Sequence, residues 1–426
     1  MVLETEASYL ANIKNLGAKN FQGLALSIWH KLPVTRRSSV FILLFLGHLG
    51  ELRVILTKRS SKLRSFPGHI SFPGGNADDS LETEWQVSRR EMHEEIGLHS
   101  DNEVLRNNYG FTIDHLNVMP CYLSRTFSAV RPCVGFMNFS KSISEADLIH
   151  NLKINLNPGE SSSVFSCPLR DFLYPAEKTT PIESLDRSSY KIEWGGIPWN
   201  LRSYTFLQTN HNEVSWLKDI LDLSQTDEEC DKDERAKEMV TPPPEEHDDH
   251  HVESREDMKS SDHHVETSEN VKSSDHHVET RENVESPDHL NGTNSTTNVS
   301  PTVAHSSHKV APHTYKSKRP KKDLSKWGRL GSRRHSATNE KIYDVWGLTA
   351  NILHDLAEII YRGPTEREIG EEELIYSVWH HGHQMKEKKR SDEEVKLINA
   401  SLKSEYGFGD ILPRSEFVKL RGIYKL

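Results

Sequence analysis

The sequence predicts an α/β domain: a mixed β-sheet with helices on both faces, interrupted once by a long segment that does not fold. Three observations predict it. Two apolar segments, residues 40–46 and 52–56, precede a glycine pair and an amphipathic acidic helix, the order of a mixed sheet covered by helices. Strand-like segments then recur as far as residue 207, and a helix with an apolar stripe follows residue 347. Between them the chain turns polar and repetitive, and only 35% of its 426 residues are hydrophobic, with a mean hydropathy of −0.66, low for a chain folded throughout.

Residues 4–17 carry Tyr9, Leu10, Ile13 and Leu16 at helical spacing and residues 20–31 continue in the same manner, which predicts a helical arm over residues 1–37. Residues 40–46, VFILLFL, are β-branched and aromatic enough for a buried central strand, and residues 47–50 turn the chain into a second strand, LRVIL. Residues 74–98 read GGNADDSLETEWQVSRREMHEEIGL. On a helix advancing about 100° per residue, Glu91, Glu94 and Glu95 share one arc of roughly 100°, with Trp85, Met92 and Ile96 on an apolar stripe roughly 120° away. Gly97 ends the helix. Carboxylates so close need a counter-ion, and a hard divalent cation takes oxygen ligands while leaving positions for water and phosphate. A solvated acidic face is the bland alternative. Ahead of the helix, Gly74-Gly75 lets backbone approach a ligand with no Cβ in the way.

Segments near 109–113, 118–127 and 130–139 read as further strands, followed by 162–167, a short helix at about 169–174, and a hairpin of 191–194 with 204–207. Residues 224–340 then lose apolar periodicity and become rich in Asp, Glu, His, Ser, Thr and Asn. Asp249-His250-His251-Val252-Glu253 recurs at Asp262 and Asp275, a period that offers almost nothing to bury, so the stretch reads as a disordered insert. Its paired histidines have the chemistry of metal ligands, but ordering a flexible chain with no supporting shell argues against a site there. Lengthening a loop from about ten residues to about 115 costs only about 2 kcal/mol of closure entropy, which the fold can carry. Leu348, Ile352, Leu356, Ile359 and Ile360 then mark a helix facing the sheet, and residues 371–382 and 391–402 predict two more. The expected organisation is therefore an arm over 1–37, the main domain over 38–223, the insert over 224–340, and over 341–426 a last core helix with a helical C-terminal extension.

A net charge of −10 with a pI near 6.2 provides no global field for nucleic acid or anionic lipid, so neither is an expected partner and any phosphate binding must be local. Cys121, Cys133, Cys167 and Cys230 lack CxxC spacing and disulfide-scaffold density, as in a reduced, intracellular protein. The start, Met-Val-Leu-Glu-Thr-Glu, lacks a signal-peptide pattern, and the run 40–46 is far short of the roughly 18 to 20 apolar residues that span a bilayer. These features predict a soluble protein.

Arg90-Glu91-Met92-His93-Glu94-Glu95-Ile96-Gly97-Leu98, with Glu82 upstream, resembles the Nudix box; Asn76 stands at the position of the box's first glycine and Gly75 one residue before it. Leu56-Thr57-Lys58-Arg59, Leu63 and the stretch from Gly68 to Gly75 resemble the LLTxR…L…G…FPGG signature of the coenzyme A diphosphatase branch of Nudix hydrolases. Further similarity lies at 119–127, 156–160, 194–197 and 346–349, so the resemblance runs from about Phe41 into the C-terminal region, the insert excepted. It implies a Nudix-type α/β/α sandwich and a diphosphatase that uses Mg²⁺ or Mn²⁺ to cut coenzyme A, or its disulfide or acyl forms, into 3′,5′-ADP and 4′-phosphopantetheine. The expected metal ligands are Glu91 and Glu95, with Glu94 as a third or supporting group. One carboxylate must stay free to take a proton from water, and the candidates are Glu94 and Glu160. Lys58, Arg59, Arg64, Gly74 and Gly75 are candidate substrate-binding residues. Glu82, Arg90 and Gly97 have structural parts, Arg90 pairing with Glu82 to fix the helix.

Two other functions share these features: clearance of oxidised nucleoside triphosphates such as 8-oxo-dGTP, and nucleotide sensing without turnover. The intact glutamates count against the sensor. The resemblance also implies a peroxisomal location, with the cytoplasm as the alternative. Lys425-Leu426 match the end of the Ser-Lys-Leu address, whereas Tyr424 stands where a small residue is expected. The sequence leaves the oligomeric state open.

Overall fold

The computed structural model describes residues 6–17, 26–140, 148, 150–173, 182–218, 220, 223, 332–400 and 405–425. The expected insert as far as residue 331, with its histidine pairs and Cys230, lies outside the described residues, as do residues 20–25 of the arm and Leu426.

Strand β1 (Arg37–Leu46) is central to the larger sheet. Phe41, Leu43 and Phe45 pack on one face and Ile42 and Leu44 on the other, all buried, which is why this run shows no polar alternation. β2 (Leu52–Arg59) pairs antiparallel with β1, and β3 (Ile70–Ser71) with β2. β4 (Gly74–Asn76) pairs antiparallel with the start of β1. β5 (Phe111–Val118) and β6 (Tyr122–Leu123) lie antiparallel to β7 (Ala129–Phe139), which runs parallel to β1, while β8 (Ser161–Pro168) lies antiparallel to β2. The sheet is therefore mixed, as expected.

Helices cover it on both faces. After the short α1 (Leu10–Lys14), α2 (Glu84–Ile96) sets Met92 and Ile96 against Phe41, Leu43 and Phe45, with α3 (Asn102–Tyr109) beside it through Leu105. A second sheet forms from β9 (Asp186–Trp194) and β10 (Ile197–Leu207), then, after α4 (Ser215–Lys218), β11 (Ser332–Arg334) and β12 (Lys341–Trp346), all antiparallel in the order β11-β12-β10-β9. α5 (Gly347–Arg362) closes the sandwich by setting Ile352 and Leu356 against Ile42 and Leu44.

Some boundaries differ from those the sequence predicts. The β9–β10 hairpin is far longer, and Gly195 and Gly196 take φ of +54° and +82° in its two-residue turn, a geometry that asks for positive φ at both positions. Residues 332–340, expected to end the insert, form β11 and the turn into β12; the strand is three residues long, too short to show an apolar alternation. Past α5, α6 (Glu372–His380) and α7 (Asp392–Asn399) occupy the two expected segments, and α8 (Phe408–Ile411) and α9 (Arg414–Ile423) add to them. This extension packs on the main domain. It shares a core with Trp29, Phe127 and Trp194, and Arg36, 1% exposed, donates to Glu394 Oε2 at 2.7 Å.

Candidate active site

α2 begins in a reciprocal cap: Gln86 N–H donates to Thr83 Oγ1 at 3.3 Å and Thr83 N–H to Gln86 Oε1 at 2.9 Å. It ends on Gly97 at φ +77°, as the sequence predicts. Its last carbonyls are tied to a distant loop, since Asn155 N–H donates to Ile96 O at 3.1 Å and Asn157 N–H to Glu95 O at 3.0 Å. These bonds bring Glu160 back to the acidic helix.

Glu95 is 5% exposed; its Oε1 accepts from Gly74 N–H at 3.2 Å and its Oε2 from Ser161 Oγ at 3.0 Å. Burial pushes its carboxyl up to about 7, against the pull of the Gly74 bond and the nearby Arg59 guanidinium. Burial also raises Glu91, helped by Glu94 and Glu160, while Arg90 holds Glu91 Oε1 at 3.0 Å and opposes the rise. Glu160 Oε2 is buried with no hydrogen-bond partner. Arg59 lies in the field of Glu95, Glu160 and Glu91, donates through Nη2 to Ser65 O at 3.4 Å, and has a buried Nε without a hydrogen bond; burial lowers its pKa. Three carboxylates thus lie in the field of one guanidinium, an oxygen-rich donor set with an open Glu160 oxygen that suits a hard divalent cation.

The expected residues divide accordingly. Glu91, Glu95, Glu160, Arg59, Gly74 and Gly75 come together. Glu94 does not join them: its side chain is 46% exposed and held 3.3 Å from Arg90 Nη1, a pairing that helical i, i+4 spacing favours. Lys58 is on β2 with a two-residue period that puts it on the Leu56 side of the sheet, opposite Arg59, and Arg64 is exposed in the following loop. Gly74 and Gly75 form a strand, not a ligand-cradling turn. A Cβ on Gly74 would lie 2.5 Å from Ser39 O, and one on Gly75 would run into the Glu91 carboxylate. Arg90 binds Glu82 at 2.8 and 3.2 Å and Asn76 O at 3.0 Å, the structural part expected of the pair.

The one group among the described residues whose three His or carboxylate ligand atoms all lie within 4.8 Å of one another is elsewhere, at His354, Asp355 and Glu358 on α5. Those carboxylates are already taken. Arg367 reaches both at 2.7 Å, Tyr122 donates to Asp355 Oδ2 at 2.8 Å, and His354 Nδ1 lies 2.9 Å from Phe172 O, so this is an ion-pair network and not a metal centre.

Sequence reasoning missed Ser161, which no motif announces, and a row of rings beside Arg59. Phe66 meets His69 at 5.4 Å and His69 meets Trp346 at 5.5 Å between centroids. Burial, then Arg59, pushes His69 down to about 4, so it is neutral.

Residues 35–185 match the family model of the NUDIX domain. The chain contains a Nudix domain. Beyond that match, the chain is 48% identical over 217 residues to the peroxisomal coenzyme A diphosphatase 1 of Saccharomyces cerevisiae, covering 48% of this chain and 63% of that protein. It is 30% identical to the mitochondrial Nudix hydrolase 15 of Arabidopsis thaliana, over 42% of this chain and 54% of that one. To the peroxisomal coenzyme A diphosphatase NUDT7 of Mus musculus it is 32% identical, over 30% of this chain and 44% of that one. The chain thus spans less than two thirds of the length of each of these relatives. The Nudix domain holds Arg59, Glu91, Glu95 and Glu160, whereas Trp346 lies outside it.

Proposed function

We propose that this chain is a divalent-metal-dependent diphosphatase that hydrolyses the phosphoanhydride of coenzyme A, or of its disulfide or acyl forms, to 3′,5′-ADP and 4′-phosphopantetheine. The observation that carries the reading is the partly buried set of Glu91, Glu95 and Glu160 whose charges act on Arg59, within a Nudix domain whose yeast and mouse relatives are named coenzyme A diphosphatases. Glu91 and Glu95 would hold Mg²⁺ or Mn²⁺. When bound, the ion offsets charge on the phosphate oxygens and makes a water more acidic.

The protein's own groups do the rest. Arg59 is the cation that faces a phosphate entering among the three carboxylates. Gly74 N–H and Ser161 Oγ fix Glu95, and Arg90 fixes Glu91, so neither must reorganise as charge builds. Glu160, with an open buried oxygen, takes the proton from the attacking water; Glu94, turned to Arg90, is the less suited of the two candidate bases. The water oxygen bonds to phosphorus, the P–O–P bridge breaks, and the leaving phosphate carries away the bridging electron pair.

The deciding experiment is product identification after incubation with coenzyme A and Mg²⁺, alongside kcat/KM for 8-oxo-dGTP. Preference for the oxidised nucleotide, or turnover of neither, overturns the proposal. A peroxisomal location follows from the same relatives and is tested by imaging the protein with and without its last three residues. No described helix is long and apolar enough to cross a membrane.

A further inference from the structure

The loop between β2 and β3 holds an aromatic ring in a place that folding alone does not favour. Phe66 has φ of +51°, a left-handed backbone that strains any residue with a side chain, and the residue is 40% exposed. Phe127 and Met385 share the left-handed backbone, at +57° and +60°, yet they are 0% and 1% exposed, so core packing offsets their strain. Phe66 has no comparable burial.

Its position is nevertheless fixed. Gly68 N–H donates to Arg59 O at 3.1 Å and His69 N–H to Phe66 O at 3.4 Å, which closes the loop on the end of β2. His69, 7% exposed, stands between Phe66 and Trp346, and Thr349 Oγ1 donates to Ile70 O at 3.3 Å, clamping the base of the loop from the C-terminal side of the chain. Ser65, one residue before Phe66, accepts from the Arg59 guanidinium. The exposed ring is therefore the neighbour of the group expected to face the phosphates.

We infer that Phe66, backed by His69 and Trp346, is a stacking face for the nucleobase of the substrate. This rests on the diphosphatase reading for the phosphate's place at Arg59. A planar conjugated ring gains from an aromatic face held rigid, whereas an aliphatic arm such as pantetheine offers only small, separate amide planes. Two of the three rings come from the β2–β3 loop and the third from the segment beyond the Nudix domain, so that segment supports recognition as well as the fold.

The test compares the full chain with Phe66→Gly, which accepts the left-handed backbone without strain and so keeps the loop, and with Phe66→Tyr, which restores a ring. Measured are the Kd of adenosine 3′,5′-bisphosphate, KM for coenzyme A, and inhibition by inorganic pyrophosphate. Phe66→Gly should weaken nucleotide binding and raise KM by about tenfold, Phe66→Tyr should recover most of both, and pyrophosphate inhibition should stay within about twofold. Unchanged nucleotide binding in Phe66→Gly, or an equal loss for pyrophosphate, overturns the inference. A wild-type chain that binds the nucleotide through Phe66 yet leaves coenzyme A uncut would sink the diphosphatase and keep the stacking face.

Discussion

Replacing Glu95 by Gln should stabilise the metal-free protein at pH 8 while removing its activity. The Glu95 carboxyl titrates near 4.5 in the absence of the fold and is pushed up to about 7 within it, chiefly by burial. Between those two values the folded state binds more protons than the unfolded one, so stability falls as pH rises from about 4.5 to about 7 and stays reduced above that. At pH 8 the penalty is about 3 kcal/mol, and at pH 5 it is under about 1 kcal/mol. Gln keeps an oxygen for Gly74 N–H, and its amide can donate to Ser161 Oγ, so the change removes charge without orphaning a partner. A net gain of about 2 kcal/mol at pH 8 should raise Tm by about 4–8 °C, at about 2–4 °C per kcal/mol for a body of this size. The same variant should lose at least about a hundredfold in kcat. The assay is thermal melting in EDTA at both pH values, with turnover of coenzyme A in Mg²⁺. A lower Tm than wild type at pH 8, or an equal gain at pH 5, would refute the buried-charge reasoning, and wild-type rates would remove Glu95 from the chemistry.

Arg59→Gln removes the cation that draws the Glu95 carboxyl down, so the acid limb of kcat/KM should move to higher pH and KM for coenzyme A should rise about tenfold or more; an unmoved limb in the pH profile would place Arg59 outside the cluster. Gly75→Ala drives a methyl into the Glu91 carboxylate, a movable group, and should cut kcat about tenfold with little change in melting, whereas Gly74→Ala meets the Ser39 carbonyl and the Val40 backbone and should lose about 1–3 kcal/mol in denaturant titration. Glu394→Gln leaves Arg36 buried without its counter-charge and should cost about 3–5 kcal/mol by the same measurement; a neutral result would mean the C-terminal extension is not fastened there.

The central strand and the acidic helix were legible because their signals are local. β1 shows an unbroken apolar run because both of its faces are covered, and α2 shows a helical stripe ending on a left-handed glycine. Glu94 shows the limit of a helical arc: three carboxylates share it and Arg90 contacts both Glu91 and Glu94, but Glu94 is the one whose side chain is left exposed. The placement of Lys58 beside Leu56 and away from Arg59 was legible from the two-residue period of the strand. Glu160 could not have been placed without the bonds that tie Asn155 and Asn157 to the end of α2. α3 escaped notice because Leu105 is its one buried residue, too little for a period. Trp346 is placed by the pairing of β12 with β10, more than a hundred residues earlier, which leaves no mark on neighbouring residues, and β11 is only three residues long.

The helix that covers the second face of the Nudix sheet is made after everything it covers. Roughly 130 residues separate β10 from β12 and α5, and at about 5–20 residues per second a ribosome needs about 7–25 s to bridge them. During that interval Ile42, Leu44 and Val54 of the nascent chain lack their partners Ile352 and Leu356, so newborn molecules present a greasy sheet to the cell. Slow translation or a shortage of chaperones should trap this protein at that stage before any mature molecule unfolds.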